Sequence, residues 1–220
     1  GKTTTLYSTL KKLATPEVNL CTVEDPIEQI ESSFNQMQVQ HNIGLDFAAG
    51  IRTLMRQDPD IIMVGEIRDL QTAEMAVQAS LTGHLVFSTL HTNNAPAAIT
   101  RLINIGLPAY LIQQTIVGIM AQRLIRTLCI HCKKSSAISD AEWQSLVTPF
   151  TATKPERIFH AVGCLECRNT GYLGRIGIYE IFETTPALQK LIIEGCDTDL
   201  LQKHACIDGM RPLRLSGAEK

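Results

Sequence analysis

The run Ile61-Ile62-Met63-Val64 constrains this chain more than any other feature. It lies between Asp58-Pro59-Asp60 and Gly65-Glu66. Four apolar residues without alternation, bounded by turn formers, read as a strand covered on both faces. Such a strand needs neighbours. Residues 19–23 after Pro16 and residues 85–90 after Gly83 supply them, and residues 37–40 are a shorter candidate. Helical patterns fall between these runs. Leu6, Leu10 and Leu13 recur at i, i+4 and i+7, and Asp46 is placed to cap a helix reaching about Arg56. Residues 72–81 and 95–105 are helical by pattern, the first ended by Gly83. Strands alternating with helices predict an α/β fold, with right-handed crossovers around a parallel sheet.

The character of the chain changes near Leu128. Beyond it come two cysteine pairs, a polar stretch and several glycines, with residues 171–180 reading as a glycine-rich hairpin. Helical patterning returns at residues 184–201, where Pro186 stands near a helix start. The expected division is therefore a core over 1–127, a cysteine module over 128–183 and a C-terminal helical segment over 184–220. Hydrophobic residues make up 45 % of the chain, which excludes global disorder. No apolar run approaches the roughly 18 residues of a membrane span. A net charge of −2 and a pI near 6.3, with no basic stripe carrying aromatic residues, argue against a nucleic-acid partner.

Ligands of open parallel sheets bind beyond the carboxyl ends of the strands. Glu24 and Asp25 follow the first strand, Gly65 and Glu66 the most apolar one, and His91-Thr92-Asn93 the third. Gly1-Lys2-Thr3 completes the last three positions of G-x-x-x-x-G-K-[ST]. The residues that would precede it in that motif are missing, so the chain is expected to be part of a longer protein. By itself it is expected to bind ATP weakly and hydrolyse it negligibly. A lysine, a hydroxyl, carboxylates and a histidine at successive strand ends are what phosphoryl transfer needs. Lys2 would neutralise phosphate oxygens and Thr3 would offer its hydroxyl to Mg²⁺. The helix opening around Thr3, Thr4 and Thr5 would aim its N–H groups at the phosphates. Glu66 would hold Mg²⁺ directly or through water. Glu24, with Glu28 in reserve, would orient the attacking water, and His91 would donate to the γ-phosphate. Taken singly, each of these has a plainer reading: a capped turn for Glu24-Asp25-Pro26, a surface side chain for His91, and a turn residue for His84 after Gly83. Arg52, Arg56 and Arg68 read as surface or salt-bridging residues.

Cys129-Ile130-His131-Cys132 and Cys164-Leu165-Glu166-Cys167 form two C-x2-C turns, with 31 residues between them. Each turn brings two thiolates to one ion, and two turns complete a tetrahedral Zn²⁺ site without an open position. The metal is therefore expected to be structural. A disulfide framework does not suit a chain without a secretory signal, and a redox pair needs only one such turn. His131 reads as solvent-facing, and Cys21, Cys196 and Cys206 as small hydrophobes.

Four segments together resemble the secretion ATPase superfamily of the type II secretion and type IV pilus machines. They are Gly1-Lys2-Thr3-Thr4-Thr5-Leu6-Tyr7, Val23-Glu24-Asp25-Pro26-Ile27-Glu28, Leu54 through Asp69, and Thr82-Gly83-His84 through Ser88-Thr89-Leu90-His91-Thr92-Asn93. They look like that family's Walker A end, Asp box, Walker B and His box. The resemblance implies a RecA-like P-loop NTPase core and places Lys2, Thr3, Glu24, Glu66, His84 and His91 at motif positions. It implies ATP, Mg²⁺ and Zn²⁺ as cofactors. It further implies a homohexamer that works on the inner-membrane platform of a secretion or pilus machine, at the cytoplasmic face of that membrane. The tetracysteine element is similar to that of secretion and pilus-assembly ATPases rather than retraction ATPases. Leu213-Arg214-Leu215-Ser216-Gly217 looks like a family segment beyond which the family chain continues. Two other functions are weighed against the ATPase motor: a RecA-like ATPase acting on nucleic acid, and a nucleotide-sensing zinc scaffold without turnover. The charge balance opposes the first; intact Glu24 and Glu66 oppose the second.

Overall fold

The computed structural model describes residues 1–220. The chain divides into two compact units. One holds Lys2–Ile119 and Phe182–Asp208; the other holds Met120–Ile181 and Gly209–Lys220, together with Gly1. The three-part division expected from sequence is replaced by this one. The C-terminal segment does not stand apart: its first part belongs to the first unit and its last twelve residues to the second.

In chain order the first unit opens with α1 (Lys2–Leu13), β1 (Leu20–Glu24), β2 (Asn35–Gln38), α2 (Phe47–Leu54) and β3 (Ile61–Val64). It continues with α3 (Leu70–Leu81), β4 (Leu85–Ser88), α4 (Pro96–Asn104) and α5 (Ala109–Thr115). The sheet is wholly parallel, in the order β2-β1-β3-β4. Its register aligns Val23 with Val64 and Val64 with Ser88. The residues just past these positions, Glu24, Gly65 and Thr89, therefore emerge side by side. The four strands are contiguous, so no gap opens inside the sheet, and β4 forms one of its edges.

Successive strand residues face opposite ways, and the core follows that rule. Cys21, Val23, Ile62 and Val64 pack with Ile51 and Leu54 of α2 and with Ala76 and Ala79 of α3. Leu20, Ile61 and Met63 pack with Tyr7 and Leu10 of α1 and with Phe34. Asp46 caps α2 by accepting the Ala49 N–H at 2.8 Å, as its sequence position predicts. Asp69 caps α3 in the same way through the Thr72 N–H, starting that helix two residues before the sequence pattern shows it. Gly83, at φ +101°, leaves the end of α3 in a conformation that side chains rarely adopt.

The second unit begins within β5 (Gly118–Leu128), a strand that sequence reading missed. It continues through β6 (Lys134–Ser136), α6 (Asp140–Val147), β7 (Ile158–His160) and β8 (Tyr172–Glu183). β8 runs unbroken through the segment expected to fold as a hairpin, and its partner is β5. Gly174 and Gly177 thus lie inside a strand. Residues 184–201 are also broken up: α7 (Pro186–Gln189) is short, and α8 (Thr198–Ile207) starts only at a new cap, Asp197. Hydrogen bonds from Gln113 to the Ile192 carbonyl (2.6 Å) and between Thr198 and Thr100 (3.2 Å) fasten this region to α5 and α4. The last helix, α9 (Leu213–Ala218), packs Leu215 and Ala218 on a small core of Ile138, Trp143 and Val147. No helix is long and apolar enough to cross a membrane.

Candidate functional site

At the carboxyl ends of β1, β3 and β4, beside the start of α1, lies a cleft of about 170 Å³. Lys2, Thr3 and Tyr7 reach it from α1; Glu24, Asp25 and Glu28 from β1 and the turn after it; Gly65 and Glu66 from beyond β3; Thr89 and His91 from beyond β4. The fold thus brings together Lys2, Thr3, Glu24, Glu66 and His91, which span 89 positions of sequence. Glu28, the reserve carboxylate, is there as well.

Three residues expected near the nucleotide are not among those lining the cleft. Thr4 is exposed on α1, and its carbonyl accepts the Ser8 hydroxyl. Gly1 is exposed ahead of the helix. His84 precedes β4, at the opposite end of the sheet, where its Nδ1 is 2.8 Å from the Ala79 carbonyl and 3.1 Å from the Thr82 hydroxyl. It closes the end of α3, which is the plainer reading of a histidine after Gly83.

The two principal carboxylates differ sharply. Glu24 is 4 % exposed, and donors hold both of its oxygens. Oε2 accepts the Tyr7 hydroxyl at 2.6 Å; Oε1 accepts the Thr22 hydroxyl at 2.7 Å and the Gln36 amide at 3.3 Å. Burial and the adjacent Glu24 charge push the Tyr7 phenol well up, so Tyr7 stays a donor. Glu66 pairs through Oε1 with Arg68. Its Oε2 is buried and accepts no hydrogen bond, lying 3.3 Å from His91 Nε2 without hydrogen-bonding geometry. A buried carboxylate oxygen left this way is costly unless a cation or water meets it. With the Thr3 hydroxyl lining the same cleft, it offers the hard oxygen donors that Mg²⁺ takes. Lys2 donates to the Leu90 carbonyl at 3.3 Å and is otherwise exposed. Sequence reading missed Tyr7, Thr22 and Gln36. The available signal was a tyrosine one helical turn after Thr3, on the apolar face, whose hydroxyl had to find a partner.

The second unit carries a separate centre. The Sγ atoms of Cys129, Cys132, Cys164 and Cys167 all lie within 4.8 Å of one another. The Cys129–Cys164 contact is 3.9 Å, and the Cys132–Cys167 and Cys164–Cys167 contacts are 3.8 Å. Zn–S bonds of about 2.3 Å in a tetrahedron require S···S edges of about 3.8 Å, so the four sulfurs fit the ion, and they are far beyond disulfide length. Backbone N–H groups already point at the sulfurs: Gly163 to Cys132 at 3.3 Å, and Cys164 and Gly171 to Cys167 at 3.2 and 3.1 Å. Burial works against a charge on Cys167, but those two N–H groups and the neighbouring thiols outweigh it and hold the thiol down to about 6. Burial pushes Cys132 up to about 11. Gly171, at φ +75°, leaves no room for a Cβ, which would lie 2.6 Å from the Ala161 side chain. His131 is exposed and outside the cluster.

A parallel α/β sheet with lysine, hydroxyl and carboxylate at its carboxyl ends places the chain among α/β proteins with a cleft suited to a phosphate-bearing ligand. Comparison with known proteins narrows the class: residues 1–220 match the family described as Type II/IV secretion system protein, and the chain belongs to that family. It is 56 % identical over its whole length to the type IV pilus assembly ATPase TfpB of Acinetobacter baylyi, covering 38 % of that protein. It is 48 % identical over 206 residues to the type II secretion system ATPase E of Vibrio cholerae, covering 93 % of this chain and 40 % of that one. The chain therefore spans about two fifths of these relatives. Among solved structures, the pilus retraction motor PilT with bound ADP superposes with a TM-score of 0.66 at 27 % identity, over 98 % of this chain and 52 % of that one.

Proposed function

We propose that this chain is the nucleotide-hydrolysing part of a motor subunit that powers pilus or pseudopilus assembly, in type IV pilus biogenesis or type II secretion. The observation that carries the reading is the Glu66 Oε2 atom, buried without a hydrogen bond in the cleft that Lys2 and Thr3 line. The substrate is ATP. Lys2 neutralises phosphate oxygens, and the first N–H groups of α1 meet the same charge. Thr3 and Glu66 hold Mg²⁺, which when bound screens the phosphate charge. Glu24, fixed by its three donors, orients the attacking water with a remaining lone pair; Glu28 is the alternative. His91, beside Glu66, donates to the terminal phosphate. Zn²⁺ on the four cysteines is structural, since four thiolates leave no position for a substrate.

The motor is a homohexamer at the cytoplasmic face of the inner membrane, docked on the membrane platform of its machine. The assembly and secretion relatives, at 44–56 % identity, favour extension over retraction, for which the structural likeness is at 27 %. In the full-length protein, Glu24→Gln should keep ATP binding and lower turnover by about 100-fold or more, and Glu66→Gln should lower turnover at least as far while weakening the Mg²⁺ dependence of binding. Steady-state phosphate release beside a fluorescent-nucleotide titration measures both. Turnover near wild type in the Glu24 variant would move the water to Glu28, and in both variants it would contradict the reading.

A further inference from the structure

Behind the cleft lies a closed set of hydrogen bonds that the phosphate chemistry does not itself require. Tyr7 is 2 % exposed and sits one helical turn beyond Thr3 on α1. A hydroxyl has one proton to give. At 2.6 Å the Glu24 carboxylate takes it, although the Gln29 carbonyl is also only 3.1 Å away. The Gln29 carbonyl is satisfied instead by the Gln36 amide at 2.9 Å. The second N–H of that amide is shared between the Tyr7 oxygen (3.1 Å) and Glu24 Oε1 (3.3 Å). The orientation of the amide is fixed from its other end, because its oxygen accepts the Glu31 N–H at 2.7 Å. Glu31 pairs in turn with Lys11, one turn further along α1.

Tyr7 and Gln36 therefore join three things: the helix that carries Lys2 and Thr3, the Glu24 carboxylate, and the segment after β1 that holds Asp25 and Glu28 at the cleft. The Tyr7 ring packs on Phe34, with centroids 5.7 Å apart, and so is held in place without its hydroxyl.

We propose that Tyr7 and Gln36 are positioning residues that set the Glu24 carboxylate and the turn after β1 against the helix presenting Lys2 and Thr3. The inference rests on the nucleotide reading above. Neither residue touches the reacting atoms; each acts through Glu24 and the Gln29 carbonyl. Loss of the Tyr7 hydroxyl leaves Lys2 and Thr3 in place but frees the carboxylate to turn, and small misplacements at this point are costly to the chemical step.

The test uses the full-length protein, with Tyr7→Phe, Gln36→Leu, Glu24→Gln and the Tyr7→Phe/Glu24→Gln double variant measured beside wild type. Tyr7→Phe is expected to lower kcat by about 10-fold or more. KM, and the dissociation constant of a fluorescent ATP analogue, should stay within about 3-fold, because the binding groups are not touched. Gln36→Leu should show the same split. In the Glu24→Gln background, Tyr7→Phe should cost less than about 3-fold, since the group it positions is already gone. Wild-type kcat in both single variants, equal losses in kcat and nucleotide affinity, or full additivity in the double variant would each overturn the proposal. If Tyr7→Phe does not fold, the Gln36→Leu split decides. An inactive wild type would instead overturn the nucleotide reading and the proposal with it, whereas active wild type with unaffected variants overturns the proposal alone.

Discussion

The cleft and the cysteine cluster show two ways in which a chain builds a site. Each pair of cysteines lies on a single turn, two intervening residues apart, and only the two turns have to meet. The cleft draws its groups from three strand ends and a helix start, and apart from the adjacent Lys2 and Thr3 its principal residues are at least 21 positions from one another. It exists only because the parallel register brings Glu24, Gly65 and Thr89 out together. The cysteine site depends on local geometry and on the ion we propose it holds, while the cleft depends on the whole sheet. Removing metal should therefore damage one unit and spare the other.

The largest effect expected from that contrast is loss of the metal. A structural Zn²⁺ contributes on the order of 10 kcal/mol to a small domain, and the local core of Ile138, Trp143 and Val147 is small. About one zinc per chain should be found by metal analysis. Chelation, or Cys164→Ser, should release it and open residues 120–181 to hydrogen exchange while β1, β3 and α2 stay protected. Zinc uptake should also release protons and tighten as pH rises, because Cys132, up at about 11, enters binding as a thiol at neutral pH. Absence of zinc together with four titratable thiols would break the contrast, as would joint exposure of the sheet.

The contrast also explains what could be read from sequence. The four cysteines are written as spacing, so their meeting was legible, and the apolar run of β3 announced the sheet with its bounds. The Gly-Lys-Thr motif points to Lys2 and Thr3, and strand ends point to Glu24, Glu66 and His91, all of which line the cleft. Sequence did not reveal which way a strand-end side chain turns. Glu24 turns inward onto Tyr7, Thr22 and Gln36, partners at separations of 17, 2 and 12 residues. His84 lies next to a strand, but at its amino end, and a motif position says nothing about which end of the sheet a residue occupies. β5 was not legible because its sequence GIMAQRLIRTL does not alternate apolar with polar residues. β8 was not because Gly171 just before it and Gly174 and Gly177 within it suggest a turn, and its buried position 180 is a glutamate.

A smaller effect sharpens the placement of His84. If its ring only closes α3, His84→Ala should cost about 1 kcal/mol of stability in thermal or urea unfolding, the worth of a hydrogen bond. Nucleotide affinity should change by less than about 3-fold. A tenfold loss of affinity at unchanged stability would return His84 to the nucleotide.

The most direct test of the central claim is a calorimetric titration of the full-length protein with a non-hydrolysable ATP analogue, with and without Mg²⁺, for wild type and Lys2→Ala. The cleft as described requires Mg²⁺-dependent binding in the wild type. It also requires a loss of about 100-fold in the variant, the scale of one charge-assisted contact to phosphate. Equal affinity in the two proteins, with or without the metal, would contradict it and would mean that the carboxyl ends of this sheet do not bind the phosphates.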